Sequence, residues 1–130
     1  MLPKSVFADT VMQLAFSERS RLTPEIHRHY LEPLSTPRER IPSWVFPREL
    51  LGSTEWVADI WERREALADT PALLCWGFDD PAFGREELRT WQALFPDART
   101  VGFEDGGHYV QDEKGREMVP EIRQFLDGTE

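Results

Sequence analysis

The sequence predicts an α/β fold in which a series of helices precedes a small parallel sheet. Residues 1–70 are rich in proline and arginine and contain no convincing strand. Residues 72–76 then form a continuous apolar run, which is typical of a strand buried on both faces. Residues 100–103 form a second short strand, and residues 85–95 between the two carry apolar side chains at helical spacing. A strand, a helix and a strand in this order predict a parallel pair with a right-handed crossover.

The first part of the chain is predicted to begin with two short helices. Residues 5–19 hold scattered apolar side chains and indicate an irregular helix. Residues 23–25 (Thr-Pro-Glu) favour the start of the next helix, because they supply a capping hydroxyl, a proline at the first position and an acid near the positive end of the dipole. This helix should end near Glu32, since Pro33 has no amide hydrogen to continue it.

Three more helices follow from capping signals and apolar faces. Residues 36–39 (Thr-Pro-Arg-Glu) have the spacing of a capping box and predict a short helix that starts there. Ser53 is predicted to cap a longer helix over residues 54–68. Pro120 should mark a break or a fresh start within the last helix. The apolar face of that last helix comprises Met118, Val119, Ile122, Phe125 and Leu126.

The composition is that of one modest globular domain with an acidic surface. The 130 residues include 24 Asp and Glu against 15 Lys and Arg, a formal net charge of −9. This charge disfavours binding to nucleic acid or to anionic membranes, and no apolar run approaches the ~20 residues of a membrane helix. One cysteine cannot form an internal disulfide, and the start of the chain lacks a secretory signal. We therefore expect a cytoplasmic protein with no nucleic-acid or membrane partner.

Two polar loops follow directly after the two predicted strands. The first is residues 77–81 (Gly-Phe-Asp-Asp-Pro), and the second is residues 104–108 (Glu-Asp-Gly-Gly-His). In an open parallel sheet, functional groups gather beyond the carboxyl ends of the strands, which lie only ~4.8 Å apart. We therefore expect Asp80 and His108 to meet, so that the carboxylate holds the imidazole in the tautomer that a general base requires.

Each member of this pair also has an ordinary interpretation. Aspartate before proline is common turn chemistry, and a histidine after two glycines is more often a plain loop residue. It is their position at two matching strand ends that favours catalysis. Asp79 competes with Asp80 for the acid role; we prefer Asp80, because Pro81 favours an extended backbone that projects the preceding side chain off the strand end.

Other candidate residues have structural interpretations. Cys75 lies inside the apolar strand and is interpreted as a core residue rather than a nucleophile. His27 and His29 are two positions apart on a predicted helix and cannot share one face as metal ligands do. We therefore expect no metal and no cofactor.

At these motifs the sequence resembles a known family. Residues 71–81 (Pro-Ala-Leu-Leu-Cys-Trp-Gly-Phe-Asp-Asp-Pro) resemble the penultimate strand of α/β-hydrolases and the loop that supplies the acid of their triad. Residues 105–110 (Asp-Gly-Gly-His-Tyr-Val) resemble the loop after their last strand. The resemblance implies that Asp80 is the triad acid and that His108 is the catalytic histidine.

The upstream segment is similar to one branch of that family, the haloalkane dehalogenases. Residues 31–34 (Leu-Glu-Pro-Leu) and 43–50 (Ser-Trp-Val-Phe-Pro-Arg-Glu-Leu) resemble the helical cap where it rejoins the core. The resemblance implies hydrolysis of a carbon–halide bond through a covalent intermediate, with epoxide or ester hydrolysis as the alternative. Because the cap of these enzymes covers the pocket, Trp44 and Phe46 are candidates to line the wall of a site for a small apolar substrate.

The sequence departs from the family at the nucleophile. The pattern Gly-x-(Ser or Asp)-x-Gly of the nucleophile elbow does not occur. Residues 1–52 are accordingly interpreted as the C-terminal part of the cap and residues 53–130 as the C-terminal part of the core. We expect this chain alone to be inactive, and to associate with itself or with a complementary N-terminal half. The alternative from another class is a catalytically silent remnant that self-associates.

Overall fold

A computed structural model describes residues 10–128 of the chain. Its regular elements follow the predicted order, with helices first and a strand–helix–strand–helix unit after them. Residues 5–9 of the first predicted helix lie outside the described part. The elements are α1 (Met12–Ala15), α2 (Pro24–Leu31), α3 (Ile41–Gly52), α4 (Thr54–Glu62), β1 (Leu73–Gly77), α5 (Arg85–Leu94), β2 (Arg99–Phe103), α6 (Val110–Glu113) and α7 (Gly115–Asp127).

The two strands form the predicted parallel pair. Leu73 of β1 lies opposite Arg99 of β2, and the register runs without a bulge to Gly77 opposite Phe103. Helix α5 connects the end of one strand to the start of the next. Because the strands are parallel and in register, their carboxyl ends lie at the same edge of the sheet. The predicted α/β class and the predicted order of its elements are thus confirmed.

Helix α2 begins and ends as its sequence predicts. The Thr23 hydroxyl accepts a hydrogen bond from the Ile26 amide at 3.2 Å, and Pro24 occupies the first turn. The α-helix ends at Leu31, and a short 3-10 turn that contains Pro33 follows it. The start of α2 is thus set by a cap and its end by a proline, as the two local signals require.

The predicted helix start at residues 36–39 is wrong. Both hydrogen bonds of a capping box form: the Thr36 amide donates to the Glu39 carboxylate at 2.8 Å, and the Glu39 amide donates to the Thr36 hydroxyl at 3.3 Å. They close a turn, however, and α3 starts only at Ile41. No local signal was used to predict a helix that starts at Ile41, and α3 contains Pro47 in its interior, which removes one main-chain hydrogen bond.

Two further predictions about helix limits are corrected. The predicted helix over 54–68 is shorter, since α4 ends at Glu62 and residues 64–67 form a 3-10 turn. Ser53 occupies the position before α4 but makes no capping hydrogen bond with its side chain. Pro120 does not break the last helix: it is the sixth residue of α7, which continues through it to Asp127. The predicted boundary between residues 52 and 53 falls at the junction of α3 and α4, and its meaning as a cap–core boundary stays a prediction.

The buried core is small, and its apolar side chains belong to α1, to the residue after it and to α5. Several large apolar side chains of α3 and α4 remain exposed, among them Leu51 at 81 % and Trp56 at 65 %. An edge-to-face contact of Trp61 with Trp91, with ring centroids 5.6 Å apart, joins α4 to α5. None of the helices in residues 10–128 combines the length and the apolar character needed to cross a bilayer. The buried apolar residues are Met12, Ala15, Phe16, Leu88 and Leu94.

The loops beyond the two strands touch through their main chains. A Cβ atom added to Gly77 would lie 2.5 Å from the carbonyl oxygen of Gly106 and 2.6 Å from that of Gly107. Both neighbours are backbone, so a side chain at position 77 would force the loops apart. A glycine at the end of β1 therefore permits the close approach of the two loops.

The segment after α1 is held to the loop after β2 by an ionic cluster. Asp105 accepts a hydrogen bond from the Lys114 ammonium at 2.7 Å and from the Arg21 guanidinium at 2.5 Å. Lys114 is buried, with 7 % exposure. These two cations hold the pKa of Asp105 well below its usual range. The charged form of Asp105 is therefore the form that the fold favours.

We predict that Gly77→Ala lowers the free energy of unfolding, by about 1–3 kcal/mol, because the added methyl group overpacks against backbone. Urea denaturation of the 130-residue chain measures this change. Gly115→Ala is the matched control, since a Cβ atom there meets nothing within 4 Å. The control should leave stability unchanged or raise it by up to about 1 kcal/mol. Equal effects at the two positions would contradict the close approach.

We predict that the stabilisation provided by the Asp105 carboxylate is lost in acid. A carboxyl group whose pKa is lowered on folding stabilises above its unfolded pKa of ~3.9, and this contribution disappears as the pH falls through the folded value. The difference in unfolding free energy between the wild-type chain and Asp105→Asn should thus stay constant from pH 7 to about 5 and shrink below about 4. Asp97→Asn, in the turn before β2, controls for the lost charge. A difference that grows in acid would contradict the ionic cluster.

Candidate active site

The loop after β1 is fastened to the loop after β2 by main-chain hydrogen bonds. The Phe78 amide donates to the Phe103 carbonyl at 2.9 Å, and the Asp79 amide donates to the Gly106 carbonyl at 2.9 Å. These bonds continue the strand pairing past the end of the sheet. They place Asp80 beside the residues that lead to His108.

The turn that carries Asp80 is closed by its own side chain and by a tryptophan. The amide of Ala82, two residues on, donates to Asp80 Oδ1 at 2.7 Å, a side-chain turn that aspartate commonly makes. The Trp76 indole donates from Nε1 to the Phe83 carbonyl at 3.1 Å. The turn thereby orients the carboxylate of Asp80 independently of its contact with His108.

Asp80 and His108 meet in the predicted contact. The His108 Nδ1 atom lies 2.9 Å from Asp80 Oδ2 and 3.1 Å from Asp80 Oδ1. The Asp80 side chain is 10 % exposed and that of His108 is 36 % exposed. A carboxylate can only accept, so the neutral imidazole carries its proton on Nδ1 and leaves the Nε2 lone pair free to accept one. The predicted geometry is confirmed, while the catalytic role of the two residues stays a prediction.

Two aromatic rings flank the imidazole. The Phe83 ring stacks on His108 with centroids 5.5 Å apart and an interplanar angle of 25°. The Tyr109 ring meets the His108 ring edge to face, at 5.6 Å and 87°. Phe83 is half exposed, and its ring covers one face of the imidazole. The ring of His108 is therefore confined in its plane as well as at Nδ1.

The backbone around His108 is held from the other side by α1 and α6. The His108 amide donates to the Ala15 carbonyl at 2.8 Å. The Gly107 amide donates at 2.9 Å to the carboxylate of Glu113, whose side chain is fully buried. The same carboxylate accepts from the Ser17 amide at 3.2 Å. The loop after β2 and the segment after α1 are thus joined through the Glu113 carboxylate.

Sequence reasoning missed Glu113, Ser17 and Phe83. Glu113 and Ser17 are 96 positions apart, and neither belongs to a periodic pattern. An acidic residue five positions after the histidine is an ordinary surface residue by its local sequence. Phe83 could have been found as an aromatic side chain on the loop that carries the candidate acid.

The remaining candidate residues stand apart from the pair. Trp44 and Phe46 are exposed on α3, at 62 % and 64 %, and their place in a substrate pocket stays a prediction. Cys75 is half-buried in β1, and burial raises the pKa of its thiol. His29 lies exposed on α2. Within residues 10–128, no three His, Cys, Asp or Glu side chains are grouped to hold a metal ion.

Comparison with known proteins agrees with this architecture. Residues 19–115 match the alpha/beta hydrolase fold family. The chain is 30 % identical over 112 residues to the cis-3-alkyl-4-alkyloxetan-2-one decarboxylase of Xanthomonas campestris pv. campestris, a match that covers 82 % of this chain and 37 % of that protein. It is 27 % identical over 118 residues to the protein of the same name from Shewanella oneidensis, over 87 % of this chain and 37 % of the relative. The chain thus spans little more than a third of these relatives, and it belongs to the alpha/beta hydrolase fold family.

Proposed function

We propose that Asp80 and His108 are the orienting acid and the general base of an α/β-hydrolase that works through a covalent intermediate. The observation that carries this proposal is the contact of Nδ1 with the carboxylate at 2.9 Å. This contact leaves Nε2 as the proton acceptor on the other side of the ring. Asp80 keeps the imidazole in that tautomer and stabilises the imidazolium that forms when Nε2 takes a proton.

The nucleophile of this reaction comes from outside the residues described above. The elbow pattern that would present a serine or an aspartate does not occur in the sequence. An aspartate that displaces a leaving group from a saturated carbon, or a serine that attacks a carbonyl carbon and displaces its oxygen substituent, forms an ester with the protein. A water molecule that gives its proton to His108 Nε2 then attacks this ester and releases the product.

We propose a small, largely apolar substrate that carries an alkyl chain. Two substrate classes have support. The resemblance of residues 43–50 to the dehalogenase cap favours a haloalkane, whereas the names of the two relatives favour an alkyl-substituted oxetan-2-one, a four-membered lactone. Both offer an electrophilic carbon to the nucleophile: a haloalkane expels its halide ion, whereas the ring of an oxetan-2-one opens and the displaced oxygen stays attached to the substrate. The decarboxylation in the names of the relatives would instead release the lactone carboxyl group as CO2 and leave an alkene. We place the oxetan-2-one first, since both relatives carry that name, and propose that Trp44 and Phe46 line the pocket.

We further propose that the chain pairs with a complementary N-terminal half, or with another copy in its absence. Strand β1 has its partner β2 on one side, and within residues 10–128 no strand pairs with its other edge. An unpaired edge of an apolar strand recruits further strands. The exposed side chains of α3 and α4 add a large apolar surface, which soluble monomers rarely carry.

The catalytic proposal predicts that a His108→Gln variant accumulates a covalent adduct if the nucleophile is an aspartate and none if it is a serine. The chain is co-expressed with the part of the Xanthomonas relative that it does not match, and the pair is mixed with 1-bromobutane. An aspartate nucleophile is ionised at neutral pH and needs no base to attack, so the variant should accumulate a butyl ester. A serine nucleophile needs His108 for the first step, and the variant should then remain unlabelled. Intact-protein mass spectrometry reads the result.

The control for this experiment is His29→Gln, which removes an exposed imidazole from α2. The control pair should turn over 1-bromobutane or a dialkyl oxetan-2-one as the wild-type pair does. The 130-residue chain alone should do neither. Turnover by the chain alone that disappears in His108→Gln would contradict the external nucleophile, and full activity of His108→Gln in the pair would contradict the general base.

The pairing proposal predicts that the isolated chain elutes as a dimer or a larger species in size-exclusion chromatography with light scattering. The complementary part of the Xanthomonas relative should convert it into a complex with one copy of each. Leu51→Glu should shift the isolated chain toward the monomer, because a charge on the most exposed apolar side chain of α3 opposes its burial. Ala93→Glu on α5 is the matched control. A monomeric wild-type chain that melts cooperatively would refute the proposal.

A further inference from the structure

We propose that Glu113 is a positioning residue for His108, whose buried carboxylate holds the loop so that Nδ1 faces Asp80. The inference rests on the proposed function of His108 as the general base. It assigns to Glu113 no contact with substrate. Its effect passes through the main chain of Gly107 and through Ser17.

The carboxylate of Glu113 is buried among donors from two separate segments. It accepts from the Gly107 amide at 2.9 Å and from the Ser17 amide at 3.2 Å. It also accepts from the Ser17 hydroxyl, and the Arg21 guanidinium lies 3.5 Å away. A buried carboxylate is costly unless such partners compensate for the lost water. This degree of compensation shows that the side chain is held in one place.

The position of His108 follows from the two segments that Glu113 joins. Gly107 directly precedes His108, and the His108 amide donates to Ala15, two residues before Ser17. A Cβ atom at Gly107 would lie 2.5 Å from the Ser17 amide nitrogen and 2.6 Å from both the Ala15 carbonyl oxygen and Glu113 Oε1. The loop is therefore packed closely against α1, the segment after it and the Glu113 side chain. Without these contacts the loop could move, and His108 Nδ1 would lose its 2.9 Å contact with Asp80 Oδ2.

Glu113→Gln changes this arrangement with little change in shape. The amide has one acceptor oxygen in place of two, and its NH2 group must face either the Gly107 amide or the Ser17 and Arg21 donors. In either orientation the NH2 group of the glutamine faces another hydrogen-bond donor. If the role of Glu113 were purely structural, Glu113→Gln would lower the stability of the chain but leave His108 unchanged in the folded molecules. A positioning role requires a change at the imidazole itself.

The test is NMR of the 130-residue chain at pH 8, where imidazole side chains are ordinarily neutral. Correlations of ring nitrogens with ring protons report the tautomer, and the Nδ1 proton reports the hydrogen bond to Asp80. The wild-type chain should show the Nδ1–H tautomer and a protected Nδ1 proton. In Glu113→Gln this proton should exchange about tenfold faster or more, the change in local opening expected when a hydrogen bond to a charged group is lost. Glu55→Gln, an exposed glutamate in the first turn of α4, should behave like the wild type.

Three outcomes decide between the proposals. A wild-type chain that lacks the protected Nδ1 proton would refute the Asp80–His108 pair itself, whatever Glu113 does. A protected proton that exchanges at the same rate in Glu113→Gln would refute the positioning role alone. If Glu113→Gln does not fold, Ser17→Ala replaces it, since it removes one donor from the same carboxylate. That variant should then accelerate the exchange of the Nδ1 proton more than that of the β1 and β2 amides, and equal effects would overturn the inference.

Discussion

The candidate site depends on the contact of two loops through main chain alone. Gly77 ends β1 at a point where any side chain would collide with the carbonyl groups of Gly106 and Gly107. Because nothing separates the loops, the Asp79 amide reaches the Gly106 carbonyl, and the pairing of the strands continues beyond the sheet. The separation of the acid and the base is therefore set by backbone, which moves less than side chains do. The relative orientation of the two side chains is therefore fixed once the chain has folded.

The sheet and the pair could be predicted because local and tertiary signals agree in this part of the chain. The apolar run at 72–76 has no alternation and fits a buried strand, and the helical stripe of α5 is long enough to identify the crossover. Parallel strands in register then bring Asp80 and His108 to one edge without further information. The start of α2 could also be predicted, since the Thr23 side chain caps it through a hydrogen bond from the Ile26 amide, three residues on.

What could not be predicted depends on contacts that the local sequence does not contain. Pro47 indicates a helix end, yet α3 continues through it, so the local rule fails there. The hydrogen bonds at Thr36 and Glu39 form as expected but close a turn, because a capping box stabilises a first turn whether or not a helix follows. Glu113 and Ser17 meet across 96 positions, and only the fold brings them together. Long-range polar contacts of this kind produce no periodic pattern in the sequence.

The contact of Asp80 with His108 is supported entirely by neighbouring groups of the same chain. The pair lies 28 positions apart, and every hydrogen bond described for it comes from within residues 10–128. The geometry of the pair is thus specified by groups within the described residues. A substitution elsewhere in the protein that leaves these hydrogen bonds in place would therefore leave the position of the imidazole beside the carboxylate unchanged.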